Sequence, residues 1–193
     1  MDPSKAGALI RRLRMERGLT QQALGRALHV SDKAVSKWER GAGCPDVSLL
    51  PGLSEALGVN IEGLLAGDLA PNSPDGGNMK RVRFYRCPAC GNVLLATGAA
   101  EVACCGRPLA PLQAQPAGAA HQVNVAPVED ELYVTFPHPM EKGHYAAFLA
   151  SVGYDRALLV RLYPEQGGEA RLPRLRGGKL YLCCSEHGLF AQD

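Results

Sequence analysis

The chain has 193 residues, of which 46% are hydrophobic and 21% are charged. This length allows one large domain or two to three small ones. No stretch approaches the ~20 consecutive apolar residues of a membrane-spanning helix, and the first residues lack the apolar segment of a signal peptide. Composition therefore excludes a membrane, exported or wholly disordered protein as a first interpretation, and we expect a cytoplasmic location with no membrane partner.

Positive charge is concentrated near the N-terminus. Between Ser4 and Arg40 there are nine Lys or Arg and three Asp or Glu, although the net charge of the chain is only +2. This distribution is expected if that end contacts phosphate. The seven cysteines, an odd number without an export signal, argue against a disulfide framework, and six of them lie in two clusters, which points to metal.

Residues 4–67 have apolar side chains at helical spacing. Thr20 and Ser31 each precede a short helical pattern, QQALGRAL and DKAVSKWER, whose first free amides their side chains can cap. Val35 and Trp38 are three residues apart and are predicted to face the core. The other faces of the second helix carry polar and basic residues, as a helix in a DNA major groove requires, namely Lys33, Ser36, Lys37 and Arg40.

The segment IRRLRMERGLTQQALGRALHVSDKAVSKWERGAGCPDVSLLPGLSEALGVNIEGLL resembles the Cro-repressor (XRE) family of helix-turn-helix proteins. The resemblance implies five helices, at about Ser4–Arg17, Thr20–Leu28, Ser31–Arg40, Val47–Leu57 and Ile61–Leu65. It also implies a homodimer on a double-stranded DNA operator, with contacts from Gln21, Ser31, Asp32, Lys33, Ser36, Lys37 and Arg40. The alternative is a helical bundle whose basic face is merely solvated.

Residues 70–77, APNSPDGG, are turn formers with almost nothing to bury, and we interpret them as a linker. The predicted domain boundaries are therefore 1–68 for the helix-turn-helix domain, 69–80 for the linker, 81–112 for a cysteine-rich domain and 113–193 for a β domain.

Cys87, Cys90, Cys104 and Cys105 supply four thiolates within nineteen residues. Four thiolates suit tetrahedral zinc or a single iron, and the alternative is four buried free cysteines. The text FYRCPACGNVLLATGAAEVACCGRPL resembles desulforedoxin and the N-terminal domain of desulfoferrodoxin, which implies a rubredoxin-like knuckle whose four cysteines hold one iron. The residues themselves leave iron and zinc open at this site.

The last block contains short β-branched or aromatic runs separated by Gly, Pro and Asp. They predict an antiparallel sandwich or barrel with strands at Gln122–Val128, Glu131–Phe136, Ala157–Tyr163 and Lys179–Cys184. The whole chain is thus predicted to be a multidomain α + β protein. Its parts are an all-α five-helix helix-turn-helix domain, a small four-cysteine knuckle and an Ig-like antiparallel β-sandwich.

Four of the five histidines lie in this block, with Cys184 beside the last of them. The fragments HPMEKGHY and CSEHGLF resemble the superoxide reductase domain of desulfoferrodoxin, in which four imidazoles surround an iron and one cysteine binds axially. The resemblance implies an iron site formed by His121, His138, His144, Cys184 and His187. Nitrogen ligands with one soft sulfur suit Fe(II) with a sixth position open. Cys183 should point to the opposite face of its strand.

One departure concerns the Glu-Lys pair that superoxide reductases usually carry before the first histidine ligand, because Ala119 and Ala120 stand there. Lys142 is the cation between His138 and His144. We therefore predict a transcriptional regulator whose iron domain senses superoxide, oxygen or iron. The alternatives are a superoxide reductase that carries a DNA-binding domain, and a repressor in which both metal sites are purely structural.

Overall fold

The computed structural model describes residues 1–175 and 177–192 and divides into two compact units, Met1–Pro71 and Asn72–Asp193. Within the described ranges, no helix has the length and apolar character needed to cross a membrane. The segments predicted as separate domains, 81–112 and 113–193, both lie in the second unit. Their division into two domains stays a prediction.

The first unit is formed by helices, as predicted. They are α1 Pro3–Glu16, α2 Gln21–Ala27, α3 Asp32–Glu39, a short 3-10 helix Val47–Leu49, α4 Leu50–Leu57 and α5 Ile61–Ala66. The Thr20 and Ser31 hydroxyls accept hydrogen bonds from the Ala23 and Ala34 amides, at 3.0 and 3.2 Å. Both residues are therefore N-caps, and α2 and α3 begin one residue later than predicted because a capping residue lies outside the helix it caps.

A single apolar cluster holds these helices together. Its buried members are Leu9, Ile10, Leu13, Leu24, Leu28, Val35, Trp38, Leu50, Leu53, Leu57 and Leu64. Two glycines permit the close packing. A Cβ on Gly7 would lie 2.0 Å from the Trp38 carbonyl oxygen, and one on Gly25 would lie 2.8 Å from the Val30 carbonyl oxygen. Gly25 thereby allows the tight turn between α2 and α3.

The second unit contains twelve strands among its described residues. They are β1 Arg83–Arg86, β2 Val93–Ala96, β3 Val102–Cys104, β4 Arg107–Leu109, β5 Ala114–Pro116, β6 Asn124–Val128, β7 Glu131–Thr135, β8 Ala146–Val152, β9 Ala157–Arg161, β10 Glu169–Pro173, β11 Lys179–Cys184 and β12 Gly188–Ala191. Strands β1–β2 and β3–β4 form two small hairpins that contain the first cysteine cluster.

Two larger sheets follow, with strand orders β5-β12-β11-β8-β9 and β10-β7-β6. They share an apolar core to which Val134 and Leu172 contribute from one sheet and Leu149 and Leu182 from the other. The other strand pairs of these sheets are antiparallel, as predicted, whereas the edge strand β5 pairs with β12 in parallel. An Ig-like topology stays a prediction.

Strand β8 is buried along its whole length. Leu149 faces the core between the sheets, whereas Phe148 and Ala150 belong to a second apolar cluster on the outer face. That outer cluster includes Phe84 of β1, whose ring centroid lies 5.5 Å from that of Phe148. The hairpin β1–β2 therefore packs on the outer face of the five-stranded sheet, whose strand β11 ends at Cys184.

Residues 72–75 of the predicted linker are held by hydrogen bonds to the loop between β2 and β3. The Asn72 side chain donates to the Ala99 carbonyl at 2.8 Å, and Thr97 Oγ1 donates to the Asp75 carboxylate at 2.5 Å. These bonds lie within the second unit and attach residues 72–75 to it.

Candidate metal centres and DNA-binding surface

The four cysteines of the first cluster meet at one point. Their sulfur atoms all lie within 4.8 Å of one another, and Cys90 Sγ is 3.6 Å from Cys104 Sγ. Cys105 and Gly106 both have positive φ, +52° and +72°. Two successive left-handed residues form the tight turn between β3 and β4, and this turn places the adjacent cysteines beside the Cys87–Cys90 turn.

The electrostatics of this four-cysteine cluster fit a bound cation. Backbone N–H groups of Cys90 and Ala89 donate to the Cys87 sulfur and, with the neighbouring thiols, lower the pKa of Cys87 to about 7. The sulfurs of Cys90, Cys104 and Cys87 raise the pKa of Cys105 to about 12, because a fourth negative charge there would be repelled. A soft cation removes that repulsion, as four thiolates around zinc or iron do.

The four histidines of the second unit form a closed ring. Successive imidazole centroids are 5.1 Å apart for His121–His138, 4.7 Å for His138–His144, 4.9 Å for His144–His187 and 5.2 Å for His187–His121. Cys184 Sγ lies 3.4 Å from His187 Nδ1. The ligand atoms of His121, His144, Cys184 and His187 all fall within 4.8 Å of one another. The His138 ring lies next to those of His121 and His144. The structure thus brings together all five predicted ligands, which come from distant parts of the chain.

Three of these rings present a nitrogen without a partner. His121 Nε2, His138 Nε2 and His144 Nε2 are buried and have no hydrogen-bond partner within the part of the chain that the structure describes. The His138 ring meets the Pro139 carbonyl oxygen through Nδ1 at 2.6 Å, so the proton belongs on Nδ1 and the Nε2 lone pair is free. Buried acceptors are costly when left unpaired, and a metal ion placed among them satisfies all three.

The protonation state of His121 and His138 also suits metal binding. Burial, and secondly the neighbouring imidazoles, lower the pKa of His121. Burial also lowers the pKa of His138, where it outweighs the bond to Pro139. Both imidazoles are therefore neutral at neutral pH, the form that binds a metal.

Cys184 ends β11 and begins a tight turn to β12. Its sulfur accepts hydrogen bonds from the backbone N–H groups of Glu186 and His187, both at 3.4 Å. Such bonds stabilise a thiolate and tune the potential of a metal bound to it. Cys183 lies in the outer apolar cluster, as strand alternation predicts, and burial raises the pKa of Cys183 to about 12.

Two residues that the sequence did not single out fix His121. The Phe190 ring stacks on the imidazole, with centroids 3.9 Å apart and planes 12° from parallel. Gln192 Nε2 donates to the His121 carbonyl at 3.1 Å, and Gln192 Oε1 accepts from the Val123 amide at 3.0 Å. The alternation of β12 could have indicated that Phe190 faces the same side as the site, whereas nothing in the sequence indicated Gln192.

The lysine between His138 and His144 is paired on the surface. Lys142 Nζ lies 3.8 Å from the Glu165 carboxylate, and both side chains are exposed. Ala119 and Ala120, which precede His121, are exposed as well.

Comparison with known proteins separates the same two parts of the chain. Residues 10–64 match the family HTH_3, described as Helix-turn-helix. A desulfoferrodoxin from Syntrophotalea carbinolica is 30% identical over 123 residues, which are 59% of this chain and 98% of that relative. The chain belongs to the desulfoferrodoxin family.

Two further proteins are similar to parts of this desulfoferrodoxin-family chain. The HTH-type transcriptional activator BcrR from Enterococcus faecalis is 34% identical over 79 residues, which are 39% of each protein. The superoxide reductase from Treponema pallidum has 20% sequence identity and a TM-score of 0.52, and the match covers 58% of this chain and 98% of that one. The latter match shows a shared fold. The chain is therefore a helix-turn-helix domain joined to a desulfoferrodoxin-like region.

The helix-turn-helix domain exposes most of its predicted DNA-contacting residues. Ser31, Asp32, Lys33, Lys37 and Arg40 are exposed and Ser36 is half-buried, whereas Val35 and Trp38 are buried beneath them. Two of these polar side chains also serve the helix, because the Ser31 hydroxyl caps α3 and the Asp32 carboxylate accepts the Lys33 amide. Their contacts with DNA stay predictions.

Gln21 has a partner inside the domain. Its Nε2 donates to the Glu39 carboxylate at 2.8 Å, and that carboxylate also accepts two bonds from Arg14, at 2.5 and 3.0 Å. The Glu39 side chain is only 3% exposed. Burial raises the pKa of Glu39, but the bonds from Arg14 and Gln21 together outweigh burial and lower it. No local sequence pattern indicates this buried ion pair between α1 and α3.

Proposed function

We propose that this protein is a cytoplasmic transcriptional regulator that binds an operator as a homodimer and senses superoxide, oxygen or iron through a redox-active iron site. The observation that carries the proposal is the presence, in one chain, of a helix-turn-helix domain and a ring of four imidazoles with a cysteine sulfur beside it. The kinship with a transcriptional activator supports the first half, and the kinship with desulfoferrodoxins supports the second.

The DNA-binding half rests on the exposed cations of α3 and the residue after it. Lys33, Lys37 and Arg40 point away from the buried Val35 and Trp38, so they are free to contact phosphates or guanine edges. Two copies of the domain would place two such helices in successive major grooves, about one helical turn apart.

The proposed sensing of an oxidant or of iron depends on the five candidate ligands of the histidine ring. His121, His138, His144 and His187 would hold iron through neutral imidazoles, and Cys184 would bind as a thiolate that two backbone amides stabilise. Five such donors suit Fe(II) and leave one position for a small molecule. A ferrous ion held there supplies one electron to an oxidant. The four-cysteine cluster would hold a second metal, iron or zinc, that fixes the hairpins.

Regulation requires that the states of the metal site differ in operator affinity. The test measures operator binding by reduced, oxidised and metal-free protein at one salt concentration. We expect affinities that differ at least about 5-fold, since allosteric coupling is typically 1–3 kcal/mol. The variant Cys184→Ser should bind operator equally under reducing and oxidising conditions. Identical affinities in all three states of the unaltered protein would overturn the sensing proposal.

A second candidate function is superoxide reduction by a protein that also binds DNA. The similarity to a desulfoferrodoxin along 98% of that relative's length favours it. Superoxide would take one electron and two protons and leave as hydrogen peroxide. Stopped-flow mixing of reduced protein with superoxide separates the two candidates, because repeated turnover with an external reductant indicates an enzyme and a single stoichiometric oxidation indicates a sensor.

A further inference from the structure

The two candidate metal sites are joined by a direct contact. Arg86 ends β1 and immediately precedes Cys87, and its Nη1 donates to the Ser185 carbonyl at 3.1 Å. Ser185 immediately follows Cys184. One hydrogen bond therefore connects the segment that bears the first thiol of the four-cysteine cluster to the segment that bears the thiol of the histidine ring.

Ser185 also fixes the segment that carries His144. Its amide donates to the Tyr145 carbonyl at 2.8 Å, and its Oγ accepts from the Tyr145 amide at 3.1 Å and donates to the Gly143 carbonyl at 3.3 Å. A movement of Ser185 would therefore move His144 and Cys184 together. Arg86 bonds to Ser185, the residue that holds the segments of His144 and Cys184 together.

A second arginine holds the other end of the cysteine turn. Arg161 of β9 donates through Nη1 to the carbonyl of Gly91, the residue after Cys90, at 3.3 Å. Both ends of the Cys87–Gly91 turn are thus attached to the five-stranded sheet. Arg86 bonds to the loop between β11 and β12, and Arg161 of β9 bonds to Gly91. The turn cannot move relative to the sheet without breaking one of these bonds.

Arg86 places a permanent positive charge beside the Cys184 turn. It is half-buried, and its Nε is fully buried without a hydrogen-bond partner among the residues that the structure places. A guanidinium stays protonated at any ordinary pH, and its field is screened less when the group is partly buried. A nearby positive charge favours the reduced, less positive state of a metal bound to the Cys184 thiolate.

We propose that Arg86 is a positioning residue shared by both metal sites, through which the metal-loaded cysteine turn holds the Cys184 loop and raises the reduction potential of the iron in the histidine ring. The proposal rests on the proposed binding of iron at that ring. When the four-cysteine cluster loses its metal, the turn loosens, Arg86 withdraws from Ser185 and the potential falls.

The first test compares Arg86→Met and Arg86→Lys with a matched control, Arg83→Met, which removes an exposed arginine from the same strand. The readouts are the midpoint potential of the histidine-ring iron and the energy of its sulfur-to-iron charge-transfer band. We expect a lower potential and a shifted band for Arg86→Met, a smaller change for Arg86→Lys and none for Arg83→Met. A potential and band in Arg86→Met equal to those of the unaltered protein would overturn the proposal.

The second test empties the four-cysteine cluster through Cys105→Ser and leaves Arg86 in place, so it remains decisive where Arg86→Met fails to fold. We expect the potential to fall in the same direction, amide exchange at residues 184–188 to speed up, and the double variant to show no further shift. An unchanged potential contradicts the coupling. An unaltered protein that binds no iron at the ring instead overturns the proposed function, so the two failures are distinct.

Discussion

The Phe190 ring lies flat against the imidazole of His121, with centroids 3.9 Å apart. His121 is the candidate ligand that lies outside the fragments HPMEKGHY and CSEHGLF, and this stacking holds its ring. The stacking fixes the plane of the imidazole and therefore the direction of its Nε2 lone pair.

Phe190→Leu should weaken iron binding about 10-fold, because residues that orient a metal ligand typically affect affinity by 10- to 100-fold. Phe190→Tyr keeps a ring at this position and should retain the affinity. The measurement is the rate of iron loss to a chelator at fixed pH. Equal rates for the leucine and tyrosine variants would contradict a positioning role for the ring.

Gln192→Ala should destabilise the second unit by about 2 kcal/mol, since it leaves the His121 carbonyl and the Val123 amide without their hydrogen bonds. Denaturant unfolding followed by circular dichroism measures the loss. Gln122→Ala is the matched control, because Gln122 is an exposed glutamine between His121 and Val123 and its loss should be nearly neutral.

Glu39→Gln should destabilise the helical unit by about 3 kcal/mol, because it breaks a buried ion pair and leaves the Arg14 charge uncompensated. Trp38 is the only tryptophan of the chain, so its fluorescence reports this unit. The control is Glu16→Gln, which removes an exposed partner of Arg12 and should cost less than about 1 kcal/mol. A loss no greater than that of the control would show that the pair contributes little.

The same pair predicts a dependence on pH. The pKa of Glu39 is lower in the folded state than its ordinary value, because the bonds from Arg14 and Gln21 outweigh burial. The stabilisation is therefore complete above about pH 4.3, the unfolded value, and is lost as pH falls through the lower folded value. Glu39→Gln should flatten this part of the stability curve of the helical unit, and an unchanged slope would contradict the assignment.

Lys33→Ala and Lys37→Ala should each weaken operator binding and reduce the slope of log affinity against log salt by about 1, as expected for the loss of one phosphate contact. Lys142→Ala is the control, because that lysine lies in the second unit and pairs with Glu165. Salt titrations of binding by fluorescence anisotropy provide the slopes. A slope that neither α3 variant changes would mean that these lysines do not contact phosphate.

Asp75→Ala should release the linker from the loop between β2 and β3, because the Asp75 carboxylate accepts both the Thr97 hydroxyl and the Gly77 amide. Protease cleavage between residues 66 and 80 should become faster, whereas Asp68→Ala, whose carboxylate accepts the adjacent Leu69 amide, should leave it unchanged. Equal cleavage rates for the two variants would contradict a held linker.

Local features were predictable because each depends on neighbours in sequence. Thr20 and Ser31 cap α2 and α3 as their positions before the helical patterns indicate. Cys87 and Cys90 share one turn, and the adjacent Cys104 and Cys105 share another. Capping, turn formation and strand alternation act over a few residues, so residue order alone specifies them.

Strand β8 was not predicted, because its sequence shows no local pattern typical of a strand. Ala146–Val152 is buried on both faces, and a strand in that position shows a continuous apolar run without alternation. The contact of Arg14 with Glu39 and that of Arg86 with Ser185 join residues 25 and 99 positions apart, so no local pattern reveals them.

Residue types and their spacing were enough to predict which residues carry the chemistry: a capped helix pair, two cysteine turns, four histidines and Cys184. The fold was needed to show that those histidines form one ring, that Phe190 and Gln192 hold His121, and that Arg86 donates to the carbonyl of Ser185, the residue after Cys184. Side-chain type and spacing fix local conformation, whereas the meeting of distant segments depends on how two sheets pack around a common core.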